Sequence, residues 1–152
     1  MHIVLYEPEI PQNTGNIART AAVTGSTLHL VGKLGFTIDD RHLRRAGLDY
    51  WWAVDIKYWD DINELQKAYK TSEFYFISTK GSRKYTSVKY SQNDFLVFGN
   101  ESAGLPQNVI ASNYQKTLRI PMRKEFRSLN LSNSVALVLY EALRQQDFVG
   151  FE

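Results

Sequence analysis

Phe95-Leu96-Val97-Phe98 is apolar at every position and runs straight into Gly99-Asn100. A strand with one face in water alternates apolar and polar residues. A run with no alternation must be covered on both faces, as the strands of a parallel sheet are. Phe74-Tyr75-Phe76-Ile77-Ser78 has nearly the same character. Parallel neighbours cannot be joined by a hairpin and need a crossover, usually a helix. The class is therefore α/β, a mostly parallel sheet flanked by helices.

The rest of the chain alternates to match. Residues 2–6 read as a first strand, stopped by Pro8 and Pro11. A helix is expected from about Asn13 to Thr24, with Pro11 at its opening and Gly25 at its C-terminal cap. Thr27–Val31 reads as a strand, and Asp39 or Asp40 caps a short helix ending near Gly47. Val54–Tyr58 reads as a strand, Asp60–Tyr69 as a helix, and Thr117–Ile120 as a strand ended by Pro121. The last helix, from about Ser132 to Gln146 with Ser132 or Asn133 as cap, is apolar nearly all round from Val135 to Leu143, broken only by Glu141. A surface helix shows a stripe, not a cylinder. The sheet accounts for one covered side. A second copy of the chain is the expected cover for another, with a neighbouring helix as the alternative. The 152 residues fit one domain, 1–152.

Absences narrow the chemistry. The chain has no cysteine, which removes disulfides, thiolate metal sites and cysteine nucleophiles, and suits a cytoplasmic setting. Neither a leader nor a membrane segment is expected. No G-x-G-x-x-G and no G-x-x-x-x-G-K occurs, so the usual dinucleotide and phosphate loops are missing. His2, His29 and His42 are scattered, which leaves Ser-His-Asp hydrolysis and metal binding unsupported, and no metal is expected. Net charge is only +2, yet the basic residues group in three places: Arg41, Arg44 and Arg45; Lys80, Arg83, Lys84 and Lys89; and Arg119, Arg123, Lys124 and Arg127. Such groups can assemble a polyanion-binding face or merely solubilise a surface.

What remains is a set of loops at strand ends: Asn13-Thr14-Gly15-Asn16-Ile17-Ala18-Arg19, Phe98 to Pro106, and Ile120-Pro121-Met122 followed by Ser128-Leu129-Asn130-Leu131-Ser132-Asn133. Taken together they resemble the three motifs of the SpoU-TrmD (SPOUT) methyltransferases. Asn13, Gly15 and Arg19 meet N-x-G-x-x-x-R. Phe98, Gly99, Glu101, Gly104, Leu105 and Pro106 meet F-G-x-E-x-x-G-L-P. Ile120-Pro121-Met122 and the run Ser128 to Ala136 meet the third. The segments Tyr6 to Pro11 and Arg44 to Tyr50 are similar to the minimal, single-domain TrmL-like (YibK-like) group in particular.

The resemblance implies a C-terminal deep trefoil knot, which ordinary topology rules would exclude. It implies S-adenosylmethionine held by Ile77, Ser78, Thr79, Gly99, Glu101, Gly104, Ile120, Met122, Ser128 and Leu129. It implies Arg19 and Asn130 as catalytic residues, and a homodimer with the last helix in the contact. Glu101 could instead fix the loops by pairing with an arginine. The reaction implied is 2′-O-methylation of the tRNA wobble nucleotide, a cytidine or carboxymethylaminomethyluridine in leucine tRNAs. Another tRNA or rRNA ribose, or a non-catalytic RNA-binding module of this fold, stands as the alternative. Arg41, Arg45, Lys80, Arg123 and Tyr140 are the expected contacts to the anticodon stem-loop, with Tyr50, Trp51, Trp52 and Tyr85 as further aromatics that could stack on an unpaired base.

Overall fold

The computed structural model describes residues 1–38 and 50–152. The short helix expected between Asp39 or Asp40 and Gly47 lies outside those residues, as do Arg41, His42, Arg44 and Arg45.

Seven strands form one sheet in the order β3-β2-β1-β6-β4-β7-β5, and every pairing is parallel. The strands are β1 (His2–Tyr6), β2 (Thr27–Val31), β3 (Ile56–Trp59), β4 (Phe74–Ile77), β5 (Arg83–Lys84), β6 (Phe95–Phe98) and β7 (Thr117–Arg119). The helices are α1 (Pro11–Thr24), α2 (Ile62–Ala68), α3 (Gln107–Ser112) and α4 (Leu131–Arg144). The all-apolar run that fixed the class lies in the interior of the sheet. β6 pairs with β1 from His2↔Phe95 to Leu5↔Phe98 and with β4 from Phe74↔Phe95 to Ile77↔Phe98.

Its four side chains divide between two cores. Leu96 and Phe98 join Ile3, Leu5, Leu28 and Leu30 under α1 and α4, where Ile17, Ala18, Val135 and Leu139 close the packing. Phe95 and Val97 join Val4, Phe74 and Phe76 on the opposite face, under Ile62 and Leu65 of α2 and Val109 and Ile110 of α3. This is why no polar residue interrupts β6: period-two alternation carries apolar side chains to both faces.

Local chemistry sets the helix ends. Gly25 adopts φ 61° and its N–H bonds to the carbonyls of Ala21 and Ala22, closing α1 with a left-handed cap. The Asp61 carboxylate accepts from the N–H groups of Asn63 and Glu64 and opens α2. The cap of α4 is Asn130, not the expected Ser132 or Asn133. Its side chain takes both of their N–H groups. β3 also starts two residues later than expected, at Ile56, and runs to Trp59. Sequence reasoning missed α3 and β5. α3 has no side-chain cap, and β5 is two exposed residues at the sheet edge.

The expected apolar cylinder of α4 is largely covered within the chain. Leu131, Val135, Val138, Leu139, Ala142 and Leu143 are buried against the sheet and α1. Leu137 and Tyr140 remain outward, each 44% exposed. Glu141, the one charged residue in the run, takes two bonds from Arg144 at 2.8 and 3.0 Å.

His2 and His29 are satisfied histidines. Trp59 Nε1, which can only donate, gives its hydrogen to His29 Nδ1 at 2.9 Å. His29 must therefore carry its own hydrogen on Nε2, which faces His2 Nδ1 at 3.0 Å. Burial and the neighbouring positive charge push His29 down to about 3 and His2 down to about 4. Both imidazoles are neutral parts of the core at pH 7. No helix among the described residues is long and apolar enough to cross a membrane.

Candidate active site

Because β6, β4 and β7 are parallel neighbours, their C-terminal ends open on the same edge of the sheet, where α/β proteins bind small molecules. A cavity of about 510 Å³ lies there. Its size is within the roughly 300–1,000 Å³ of small-molecule and cofactor sites. Ile77, Ser78 and Thr79 follow β4, Gly99, Glu101 and Gly104 follow β6, and Ile120 and Met122 follow β7. Ser128 and Leu129 precede α4. All ten line this one cavity, as do Asn130 and Lys80.

The loop after β6 is built by its own residues. Asn100 Oδ1 accepts from the N–H groups of Ala103 and Gly104 at 2.8 and 3.1 Å, and Gly104 takes φ 71° to complete the turn. Gly99 has a structural reason for lacking a side chain. A Cβ at Gly99 would stand 2.0 Å from the carbonyl carbon of Gly104 and 2.2 Å from the Leu105 nitrogen, so the glycine lets the loop fold onto itself.

The three motif segments are joined by side chains. Glu101 Oε2 accepts from the Glu9 N–H at 2.9 Å. Glu101 Oε1 accepts from the Ile10 N–H at 3.2 Å and from Asn13 Nδ2 at 3.0 Å. Asn13 Oδ1 in turn accepts from Asn130 Nδ2 at 3.0 Å. In the reverse direction, Glu9 Oε2 accepts from the Ser102 N–H and hydroxyl at 3.1 and 2.6 Å. Glu101 thus holds the entry to α1 by taking its backbone hydrogens, the alternative to an arginine partner. Asn13 is 6% exposed and stands between the second and third motifs. Asn13 was legible as a motif residue but not as a link. The Tyr6 to Pro11 segment, which carries Glu9, was the other signal.

Asn130 does two jobs here. Its Oδ1 accepts from the Ser132 N–H and hydroxyl and the Asn133 N–H at 2.9, 2.7 and 3.3 Å, and its amide nitrogen reaches Asn13. Lys80 Nζ donates to Gln107 Oε1 at 3.0 Å on the cavity wall, and Arg127, from the third basic group, also lines the cavity. Arg123 and Tyr140 are not among the lining residues. Arg41 and Arg45 lie outside the described residues. Arg19 does not line the cavity either. It is exposed on α1, with its guanidinium 4.8 Å from the centre of the Tyr50 ring. Six residues beyond Asn13 on a helix is about 9 Å along the axis and about 120° round it. Among the described residues no group of three or more His, Asp or Glu side chains could hold a metal ion.

The cavity suits an adenosine-bearing ligand in kind. Apolar side chains of Ile77, Ile120, Leu129 and Leu131 share its wall with the backbone of Gly99 to Gly104 and the Ser78, Thr79 and Ser128 hydroxyls. The Glu101 carboxylate, the one acidic group on that wall among the described residues, is engaged by N–H donors.

Comparison with known proteins places this geometry among relatives. Residues 1–140 match the SpoU rRNA Methylase family. The chain is 53% identical over 151 residues to a Bacillus subtilis (strain 168) protein provisionally named tRNA (cytidine(34)-2'-O)-methyltransferase, covering 97% of this chain and 94% of that one. It is similar, at TM-score 0.91 and 44% identity, to a solved structure concerned with the 2-OH methylation of C/U34 on tRNA, covering 97% of this chain and 96% of that one. It is also similar to the AdoMet-bound rRNA methyltransferase from Sinorhizobium meliloti, at TM-score 0.83 and 27% identity, covering 94% of this chain and 55% of that one.

Proposed function

The chain belongs to the SpoU rRNA methylase family, and from that premise we propose that it methylates the ribose 2′-hydroxyl of the wobble nucleotide of a tRNA, using S-adenosylmethionine. One observation carries the reading. Three segments far apart in sequence meet around a single cavity, tied by the Glu101–Asn13–Asn130 chain of hydrogen bonds. The relative at 53% identity and the structure at 44% identity both bear names for this reaction at nucleotide 34. The target is a cytidine or carboxymethylaminomethyluridine in leucine tRNAs.

S-adenosylmethionine supplies a sulfonium methyl activated toward an oxygen nucleophile. Ile77, Ser78, Thr79, Gly99, Glu101, Gly104, Ile120, Met122, Ser128 and Leu129 are the residues we assign to hold it. Glu101 acts through the loops it joins, and Asn130 by setting the start of α4 at the cavity wall. A ribose hydroxyl is too weak an acid to ionise unaided near neutral pH. We assign Arg19 to that task. A guanidinium stays protonated, so Arg19 donates hydrogen bonds to the forming alkoxide rather than removing its proton, which passes to a substrate phosphate.

The working unit in this reading is a homodimer. Leu137 on α4 and Val23 on α1 are exposed apolar side chains it would cover, and Arg19 serves the cavity of the partner copy. We also read the C-terminal segment as the family's deep trefoil knot. What supports this is that β7 lies beyond β4 while α4 returns to pack on α1 and β6. Lys80, Arg123, Arg127 and Tyr140, with Arg41 and Arg45, are the assigned contacts to the anticodon stem-loop, in a cytoplasmic setting.

The test is methyl transfer from labelled S-adenosylmethionine to unmodified leucine tRNA, followed by mass spectrometry of the nucleosides. One 2′-O-methyl group at the wobble position is expected, and Arg19→Ala should lose about a hundredfold or more in rate. Methyl appearing only at another position, or none with well-folded protein, would sink the reading.

A further inference from the structure

Arg19 and Tyr50 come from separate parts of the chain and meet cation to ring, the guanidinium carbon 4.8 Å from the ring centroid. We propose that Tyr50 is a positioning residue for methyl transfer, its ring the platform that fixes the Arg19 guanidinium where it meets the ribose 2′-oxygen. The inference rests on Arg19 being the group that meets that oxygen.

The geometry of a guanidinium explains why a ring serves here. Its five N–H donors lie in its plane and point outward from the edge, while its faces carry none. Stacking on an aromatic ring uses a face and leaves every donor free. A carboxylate would hold the same arginine by taking two of those donors and offsetting its charge. An arginine that must give hydrogen bonds to a developing alkoxide is better held by Tyr50 than by an acid. The exposed Arg19 side chain would otherwise spread over many rotamers, freedom that must be lost, at a cost, when it is fixed. Ordering it before substrate arrives removes part of that cost from the reaction step.

The platform is itself anchored. Trp51, next in the chain, packs against the apolar core under α1 and α4. The Ala53 N–H closes a turn on the Tyr50 carbonyl at 2.9 Å. Trp52 then points away, 85% exposed. The three consecutive aromatics thus divide: one on Arg19, one into the core, one to solvent. The Tyr50 ring, one of the aromatics that could stack on a base, carries the Arg19 cation over it.

The experiment compares Tyr50→Phe, Tyr50→Leu and Tyr50→pentafluorophenylalanine in the full-length protein. Single-turnover methyl transfer to tRNA is measured at saturating S-adenosylmethionine, with S-adenosylhomocysteine affinity by calorimetry. Phenylalanine keeps the ring's negative face and should stay within about twofold of the parent. Leucine and the fluorinated ring, which reverses that face at nearly unchanged shape, should each slow transfer roughly fivefold. Cofactor affinity should not move, and none of the three should slow an Arg19→Ala chain further. Equal rates for the plain and fluorinated rings would overturn the proposal, as would equal slowing by all three. If the leucine variant fails to fold, the fluorinated ring still decides. An Arg19→Ala protein at full rate would strike the assignment of Arg19 instead, whatever the ring series gives.

Discussion

Replacing Glu101 by glutamine should loosen the cavity although the two side chains have the same shape. The carboxylate accepts from the Glu9 N–H, the Ile10 N–H and Asn13 Nδ2 at 2.9, 3.2 and 3.0 Å. A glutamine has one acceptor oxygen. Whichever way it turns, its NH₂ faces either the Glu9 N–H or the Ile10 and Asn13 pair, and at least one donor then meets another donor. Hydrogen bonds to charged groups contribute about 1.5–3 kcal/mol. The Ile10 side of this cluster is open to water, so the lower end applies, about 1.5 kcal/mol of stability. Asn13→Ala removes the bond it shares with Glu101 and the one it accepts from Asn130. The two changes share a bond and should couple. Denaturant unfolding of parent, single and double variants should give an interaction energy of about 1 kcal/mol, with S-adenosylhomocysteine affinity falling in both singles. Additivity within about 0.3 kcal/mol, with cofactor affinity unchanged, would show that the motif segments are not held through this link.

Further outcomes follow from other parts of the structure. Gly99→Ala should abolish cofactor binding or folding, since its Cβ would overlap the Gly104 backbone. Gly104→Ala, with open space around the new carbon but φ 71°, should cost only about 1 kcal/mol by thermal unfolding. His2 and His29 are held down to about 4 and about 3, below the ordinary 6.5, so the unfolded chain binds more protons as pH falls. The stability they contribute is present above about pH 6.5 and drains away toward pH 3, by about 2 kcal/mol between pH 6 and pH 5. NMR titration should show neither imidazole changing charge near 6.5. Leu137→Glu should yield a monomer in sedimentation and lose methyl transfer. An active monomer would remove the dimer from the mechanism. The affinity for tRNA should fall steeply with salt, and Lys80→Ala together with Arg127→Ala should reduce that slope by about one to two.

The class was legible because β6 has apolar residues pointing both ways, a pattern with few solutions other than a sheet covered on both faces. Boundaries were less so. Nothing in the Val54-Asp55-Ile56 sequence marks β3 as starting at Ile56, because register is set by pairing with β2 rather than by local propensity. α3 escaped notice because six uncapped residues after Pro106 carry little periodic signal. The residues of the cavity were legible as loops at strand ends, and their grouping through the motifs they resemble. What could not be read was how they are joined. That Glu101 reaches Glu9, Ile10 and Asn13, and that Asn13 reaches Asn130, depends on residues 92, 91, 88 and 117 apart in sequence coming within hydrogen-bond distance. Why position 99 must be glycine could not be read for the same reason, since the atoms that forbid a side chain there belong to a turn whose shape no local rule supplies. The inward half of α4 could be expected from its composition. Its outward Leu137 and Tyr140 could not, because α1 rather than another copy covers much of the rest.

The pairing of β1 with β6 has a consequence for how the molecule is born. His2 finds its neighbour Thr27 early, but its other neighbour is Phe95. At five to twenty residues per second, roughly five to twenty seconds separate their emergence from the ribosome. Throughout that interval the β1 edge has its backbone groups unpaired and a β-prone, apolar sequence on offer to any passing chain. Newly made protein should accordingly depend on holding chaperones more than its modest size suggests.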